Sequence, residues 1–264
     1  MINLITSFFI PKQVERQDEL LKCLKNNINS RYIKKIYLYI EKKEDLDFLK
    51  EKINPKGKIQ LILLNKQPTY ANYLKLANQM QGEICMISNA DIWLKKCDQE
   101  VINILKEHPN ICYSLTRHEC DMTSPLIKRG VLKGKYYQSY DSFIFQSPIN
   151  IDYKLIDHVQ NRMGAENVFK IELEKVGRLF LNPCKVIIIV HEHKSDIRTY
   201  STDDDMLRTK NYYSQLKYTP ILNKNETLNE FNKKNISKYN LFSLYNKKNY
   251  RKKEYSTVSS LFSR

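Results

Sequence analysis

The stretch Gly82-Glu83-Ile84-Cys85-Met86-Ile87-Ser88-Asn89-Ala90-Asp91-Ile92-Trp93-Leu94 decides how the chain is read. The apolar run Ile84 to Ile87 has the length and β-branched content of a fully buried strand, and it stops at the small, polar Ser-Asn-Ala-Asp. A carboxylate delivered to the carboxyl end of such a strand sits where open α/β sheets bind their ligands. Asn89 and Asp91 equally fit a turn, or a cap for the helix that follows Cys97.

Upstream, strands and helices alternate. Asn3 to Ile10 is a strand ended by Pro11, and Glu15 to Asn27 places Leu20, Leu21, Cys23 and Leu24 on one helical face. Ile33 to Ile40 is a second strand finishing on Glu41, Asp45 to Ile53 a short helix, and Ile59 to Leu64 a third strand. Thr69 is the N-cap of a helix whose apolar face is Tyr73, Leu74, Ala77 and Met80. Four strands alternating with helices ahead of Leu94 predict a mostly parallel sheet with helices on its faces. No Gly-x-Gly-x-x-Gly follows the first strand and no P-loop occurs, so a dinucleotide or Walker-type site has no support.

Downstream, Asp98 to His108 is an amphipathic helix, and Ile111 to Leu115 a strand running into the polar Thr116-Arg117-His118-Glu119. Periodicity dissolves from Cys120 to Gln138, as in a loop beside a site. It returns in the short strand Tyr140-Asp141-Ser142-Phe143-Ile144-Phe145-Gln146-Ser147-Pro148, which carries an acid at its start. Gly164-Ala165-Glu166-Asn167 opens a helix that Gly177 closes. The strand Val186 to Val190 then delivers His191-Glu192-His193-Lys194-Ser195. Two residues apart on extended chain, the histidines share a face and could approach one metal or phosphate.

The 264 residues carry a net charge of +15, which attracts polyanions: nucleotide phosphates, nucleic acid or an anionic membrane. The lysines are spread along the chain and no nucleic-acid motif appears, so nucleic acid is the weaker of these. No apolar run reaches the roughly 20 residues that span a bilayer, and the start lacks the basic region of a signal peptide. The six cysteines show no paired spacing, the pattern of reduced structural thiols, and a cytoplasmic location is expected. Residues 221 to 264 hold 10 Lys or Arg against 3 Glu, interleaved with Tyr and Phe. They read as a basic extension, either solvated or lying on an anionic membrane or acidic partner.

The order of these parts resembles nucleotide-sugar-dependent glycosyltransferases of the GT-A fold. The resemblance implies one α/β, Rossmann-like domain over residues 1–205, with a mixed, mostly parallel central sheet flanked by helices. Residues 206–264 would be a C-terminal extension, partly helical or disordered. Asn89-Ala90-Asp91 looks like the family's DxD motif, and Gly164-Ala165-Glu166-Asn167 like the Gly-x-Glu-Asp helix start of inverting members. His193, with His191 as its rival, matches a late metal-binding histidine.

The resemblance further implies a UDP- or GDP-sugar donor, a glycan or glycoconjugate acceptor, and Mn²⁺ or Mg²⁺ held by Asp91 and His193. Asn89 brings no charge where the family has an acid, so metal affinity would depend on nucleotide phosphates. Asn167 cannot accept a proton, which leaves the base to Asp141 or Glu166. At the donor edge it implies Pro11, Ala90, Glu41 for ribose or base, and Tyr70 for stacking unless that ring packs internally. Arg16, Arg117 and Arg198 would clamp phosphates or form ordinary ion pairs. Trp93 fits core or acceptor platform. A catalytically degenerate, basic binding module is the competing expectation, and a metal-dependent nuclease or phosphohydrolase using Asp91, Asp141 and His193 a third.

Overall fold

The computed structural model describes residues 1–53, 57–120, 140–162, 164–195, 219–222 and 226–239. The chain divides into two compact units, Met1–Ile221 and Leu222–Arg264. In the first unit the opening half alternates as the sequence predicts: β1 (Ile2–Phe8), α1 (Val14–Asn29), β2 (Ile33–Ile40), α2 (Lys43–Lys52), β3 (Ile59–Leu63), α3 (Tyr70–Asn78) and β4 (Ile84–Ser88). There follow β5 (Ile92–Lys96), α4 (Gln99–Glu107), β6 (Ile111–Leu115), β7 (His118–Glu119), β8 (Ser142–Gln146), a 3₁₀ turn (Tyr153–Ile156), α5 (Ala165–Lys175), β9 (Leu179–Leu181) and β10 (Ile188–His191).

Seven strands form the main sheet in the order β3-β2-β1-β4-β8-β6-β9. Strands β1 to β4 pair in parallel, whereas β8 is antiparallel to both β4 and β6. The carboxyl ends of β1 to β4 and β6 therefore share an edge with the amino end of β8. That shared edge brings Asn89, Arg117 and Asp141 together from three separate parts of the chain.

Alternate strand residues Ile5, Cys85, Ile87, Cys112, Phe143 and Phe145 face one core layer with Tyr70, Tyr73 and Leu74 of α3 and Phe169 and Leu173 of α5. Tyr70 stacks on Phe169 with ring centroids 4.4 Å apart and is 1% exposed. Burying two such rings is among the larger apolar contributions a core can make. Tyr70 is thus core, and the donor-stacking role is corrected.

Three elements depart from the expected pattern. Ile92–Lys96 is a strand, and the late strand starts two residues later than expected and ends one later, so that His191 is its last residue. Neither joins the main sheet; with β7 they build a second sheet in the order β5-β10-β7. Asn27 of α1 stitches the outer edge of β5, its Nδ2 donating to the Ile92 carbonyl and its Oδ1 accepting from Leu94 N, both at 3.0 Å. A side-chain amide here satisfies backbone groups that a neighbouring strand would otherwise take.

In the second unit the described residues form a helix, α6, over 228–239. Thr227 caps it reciprocally: its Oγ1 accepts from Glu230 N at 3.2 Å, and Glu230 Oε2 accepts from Thr227 N at 2.9 Å. The expected boundary after residue 205, the loop over 121–138, Arg198 and residues 240–264 lie outside the described residues. No helix among the described residues is long and apolar enough to cross a membrane. The described cysteines are all free, and Cys23, Cys85, Cys97, Cys112 and Cys184 are buried.

Candidate active site

A polar cleft opens at the shared strand edge, lined by Ser7 near the end of β1, Phe9 just beyond it, Arg16 of α1, Glu41 beyond β2, Gln67 and Pro68 ahead of α3, and Asn89, Ala90 and Asp91 beyond β4. Arg117, Asp141, Gln160, Asn161, Glu166, His191 and His193 also line it. Asn89 to Asp91 make the tight connection from β4 to β5, with Ile92 N donating to the Asn89 carbonyl at 3.2 Å. The stretch is thus a turn, and the same turn lines the cleft.

The short sheet exists where it does to align ionisable groups. Its register sets His191 of β10 opposite Ile92 of β5 and beside Glu119 of β7. His191 Nε2 lies 3.2 Å from Asp91 Oδ2, and Nδ1 lies 3.1 Å from Glu119 Oε2. His193 approaches the same Asp91 oxygen through Nδ1 at 3.9 Å, its ring edge-on to His191. From α1, Arg16 Nη2 donates to Asp91 Oδ2 at 2.5 Å, and Arg16 Nη1 donates to Glu19 Oε2 at 2.9 Å. Glu19 in turn accepts from the backbone N–H groups of Lys194 and Ser195, tying the segment after β10 to α1.

Charge complementarity moves the proton affinities accordingly. Burial opposes ionisation of Asp91, but His191 and Arg16 outweigh it and hold the carboxyl far below the usual range. Burial likewise disfavours the His191 imidazolium, yet the two carboxylates raise it to about 9. The His191 hydrogen bond, with Arg117 nearby, lowers Glu119 to about 2. His191 thus bridges two carboxylates as a cation in the metal-free protein. The stability it lends is fully present below its ordinary value near 6.5 and is lost as pH rises through about 9. In chelator, the unfolding free energy of the wild type should therefore fall between those pH values relative to His191→Gln, by at most ~3 kcal/mol, seen as a relative loss of melting temperature. Parallel melting curves would refute the bridging role.

In the same cleft, Glu166 stands in the first turn of α5, where Gly164 at φ 85° lets the chain turn into the helix. Burial pushes its carboxyl up to about 8, reinforced by the Asp141 charge and opposed by the Asn89 side chain, which hydrogen-bonds it, and by Arg117. Asp141 is 6% exposed and accepts from Arg117 Nη1 at 2.8 Å. Of the two candidate bases, Asp141 is thus held by a guanidinium, whereas Glu166 is the one whose pKa is raised. Glu41 lines the cleft, its pKa raised by burial and by Asp45.

Arg16 and Arg117 line the cleft but are engaged by Asp91 and Asp141 rather than free to clamp phosphate. Pro11 is buried and does not line the cleft, a correction to its expected donor role. Trp93 donates from Nε1 to Glu192 Oε1 at 3.1 Å and likewise does not line it. Residues the sequence left without a role include Glu19, Glu119 and Gln160. Their signals were at most Glu19 three positions after Arg16 on one helix, and Glu119 in a polar strand end.

A divalent ion fits this donor set. Asp91, His191 and His193 each offer an atom, all within 4.8 Å of one another, and Asn89 Oδ1 is buried without a hydrogen-bond partner among the described residues. One carboxylate with two imidazoles is a donor set that divalent metal ions accept.

The fold is the GT-A fold. Among solved structures, Staphylococcus aureus TarS residues 1–349 in complex with UDP-GlcNAc superposes with a TM-score of 0.53 at 9% identity, covering 81% of this chain and 64% of that one. The mannosyltransferase PcManGT of Pyrobaculum calidifontis, in complex with GDP-Man and Mn²⁺, gives 0.49 at 13% identity over 75% of this chain and 58% of that one. GalNAc-T7 with UDP, GalNAc and Mn²⁺ gives 0.47 at 12% identity, covering 81% of this chain and 48% of that one. The chain therefore spans less than two thirds of the length of each. No protein-family model and no curated protein matches the sequence.

Proposed function

We propose that this protein is a metal-assisted glycosyltransferase that moves a hexose from a nucleoside diphosphate sugar to a hydroxyl of a glycan or glycoconjugate, with inversion. The observation that carries the reading is one cleft that is lined both by a carboxylate–imidazole cluster and by a high-pKa carboxyl. The TarS likeness supports the fold, and that protein was solved with UDP-GlcNAc.

In this reading Asp91, His191 and His193 hold a divalent ion, with Asn89 Oδ1 available to it or to a donor hydroxyl. When bound, the ion neutralises charge developing on the donor diphosphate. Glu41 at the end of β2 is placed to accept from donor hydroxyls. Glu166, once ionised, takes the proton from the acceptor hydroxyl as its oxygen attacks the anomeric carbon and the bond to the β-phosphate oxygen breaks. Arg117 holds Asp141 in an ion pair beside Glu166, so the base faces a compensated rather than a bare neighbouring charge. The competing binding-module reading rests on the +15 charge and on the missing charges at Asn89 and Asn167. Against its second ground, Asp91 and Glu166 supply acid groups to the same cleft.

Purified protein incubated with UDP- and GDP-sugars and Mn²⁺ should release nucleoside diphosphate from at least one donor, and a chelator should stop it. If no donor is bound or turned over with or without metal, the assignment is wrong.

A further inference from the structure

We propose that Glu119 is a positioning residue for His191: its carboxylate takes the Nδ1–H, so that Nε2 faces Asp91 and is the imidazole nitrogen offered to a bound cation. The inference rests on the metal-site reading above and extends it to a residue outside the cleft lining.

Three observations carry it. First, the backbone register places Glu119 beside His191, because β7 pairs in parallel with β10 at that position and β10 pairs with β5 at Ile92, next to Asp91. The two-residue β7 thereby lines up one carboxylate with the ring. Second, the ring is held at both ends, with 3.1 Å from Nδ1 to Glu119 and 3.2 Å from Nε2 to Asp91. An imidazole that donates one N–H to a carboxylate has its tautomer and plane fixed, and such outer partners raise the basicity of the ligating nitrogen. Third, Glu119 is itself anchored: its Oε1 accepts from Arg117 Nε at 3.4 Å, and Arg117 Nη1 holds Asp141 at 2.8 Å. Glu119 thus connects the Asp91–His191 pair to the Asp141 carboxylate through a single guanidinium. A carboxylate there merely to neutralise Arg117 would have no reason to stand on the Nδ1 side of the ring.

The experiment is Mn²⁺ titration of the full chain with UDP present, read by loss of the free-ion electron paramagnetic resonance signal. Pulsed measurement of the directly bound imidazole nitrogen is the second readout. The proteins are wild type, Asp91→Asn, Glu119→Ala and Glu119→Gln, each checked for folding by circular dichroism. Glu119→Ala should weaken Mn²⁺ binding roughly 10–100-fold and change the nitrogen coupling. Glu119→Gln, whose amide oxygen still accepts the Nδ1–H, should recover most of both. Wild-type affinity and coupling in folded Glu119→Ala would overturn the role, as would equal losses in the Ala and Gln variants, which would point to charge rather than orientation. If the wild type takes up no Mn²⁺, the metal site falls and this role with it. If only Asp91→Asn loses binding, the metal site stands and Glu119 does not.

Discussion

Asp91→Asn is expected to lower donor turnover by about 10³-fold, which corresponds to roughly 4 kcal/mol of transition-state stabilisation. The substitution keeps the size of the side chain and removes its charge, so its effect isolates electrostatics from packing. Asp91 Oδ2 is the atom on which Arg16, His191 and His193 converge, at 2.5, 3.2 and 3.9 Å. An asparagine oxygen can accept one of these contacts, but it cannot neutralise a divalent ion together with two phosphates. Mn²⁺ uptake should therefore fall with turnover, and added nucleoside diphosphate should restore only part of it. The metal-free protein should also be less stable, because Arg16 and the His191 imidazolium would lose the buried counter-charge they share and keep only Glu19 and Glu119. Breaking such a pair from one side typically costs about 3–5 kcal/mol. Carboxylate depression sets the sign: the stability Asp91 contributes is present above the usual carboxylate range and is lost as acid protonates it. The acid-side melting curves of wild type and variant should accordingly converge. Turnover equal to wild type in a folded variant would remove Asp91 from the chemistry.

The first half of the fold was legible because each element there carries its own local signal. β1, β2 and β4 are apolar runs, and α1 and α3 have buried faces at helical spacing. The small sheet carried no such signal. β7 is two residues long, and β5 is defined by partners nearly a hundred positions away, Ile189 opposite Leu94 and His191 opposite Ile92. Local periodicity cannot encode a pairing of that separation. The site divided along the same line. Asp91 and Glu166 stand out as acids that end a strand and start a helix. The partners that set their protonation do not, since Arg16 reaches Asp91 across 75 positions and Arg117 reaches Asp141 across 24. Tyr70 shows the remaining ambiguity: a tyrosine that opens a helix has the same local sequence whether it stacks on a ligand or on Phe169.

Glu166→Gln should separate catalysis from stability in opposite directions. As the acceptor's base, Glu166 contributes on the order of 10²–10⁴ in rate, so kcat should fall by about 10³ while donor affinity stays near wild type. A glutamine there still meets the Asn89 side chain, but it has no charge to desolvate and none to repel Asp141. The raised pKa fixes the sign of the stability effect. Between its ordinary value near 4.5 and about 8 the folded protein holds a proton that the unfolded chain releases, so wild-type stability declines across that interval. The glutamine variant escapes the decline and should gain roughly 2 kcal/mol over wild type above pH 8, after allowance for solvent screening. The same ionisation governs the rate: wild-type kcat/KM should climb with pH to a plateau at or below about 8, because a cation bound near Asn89 favours the carboxylate. In the glutamine variant the residual rate should lose that limb. Asp141→Asn supplies the contrast, since it removes the closer of the two carboxylates that pair with Arg117 and should destabilise the fold rather than relieve it. A variant at Glu166 that is both slower and less stable, with the acid limb intact, would mean that this carboxyl is structural and that the proton leaves by another route.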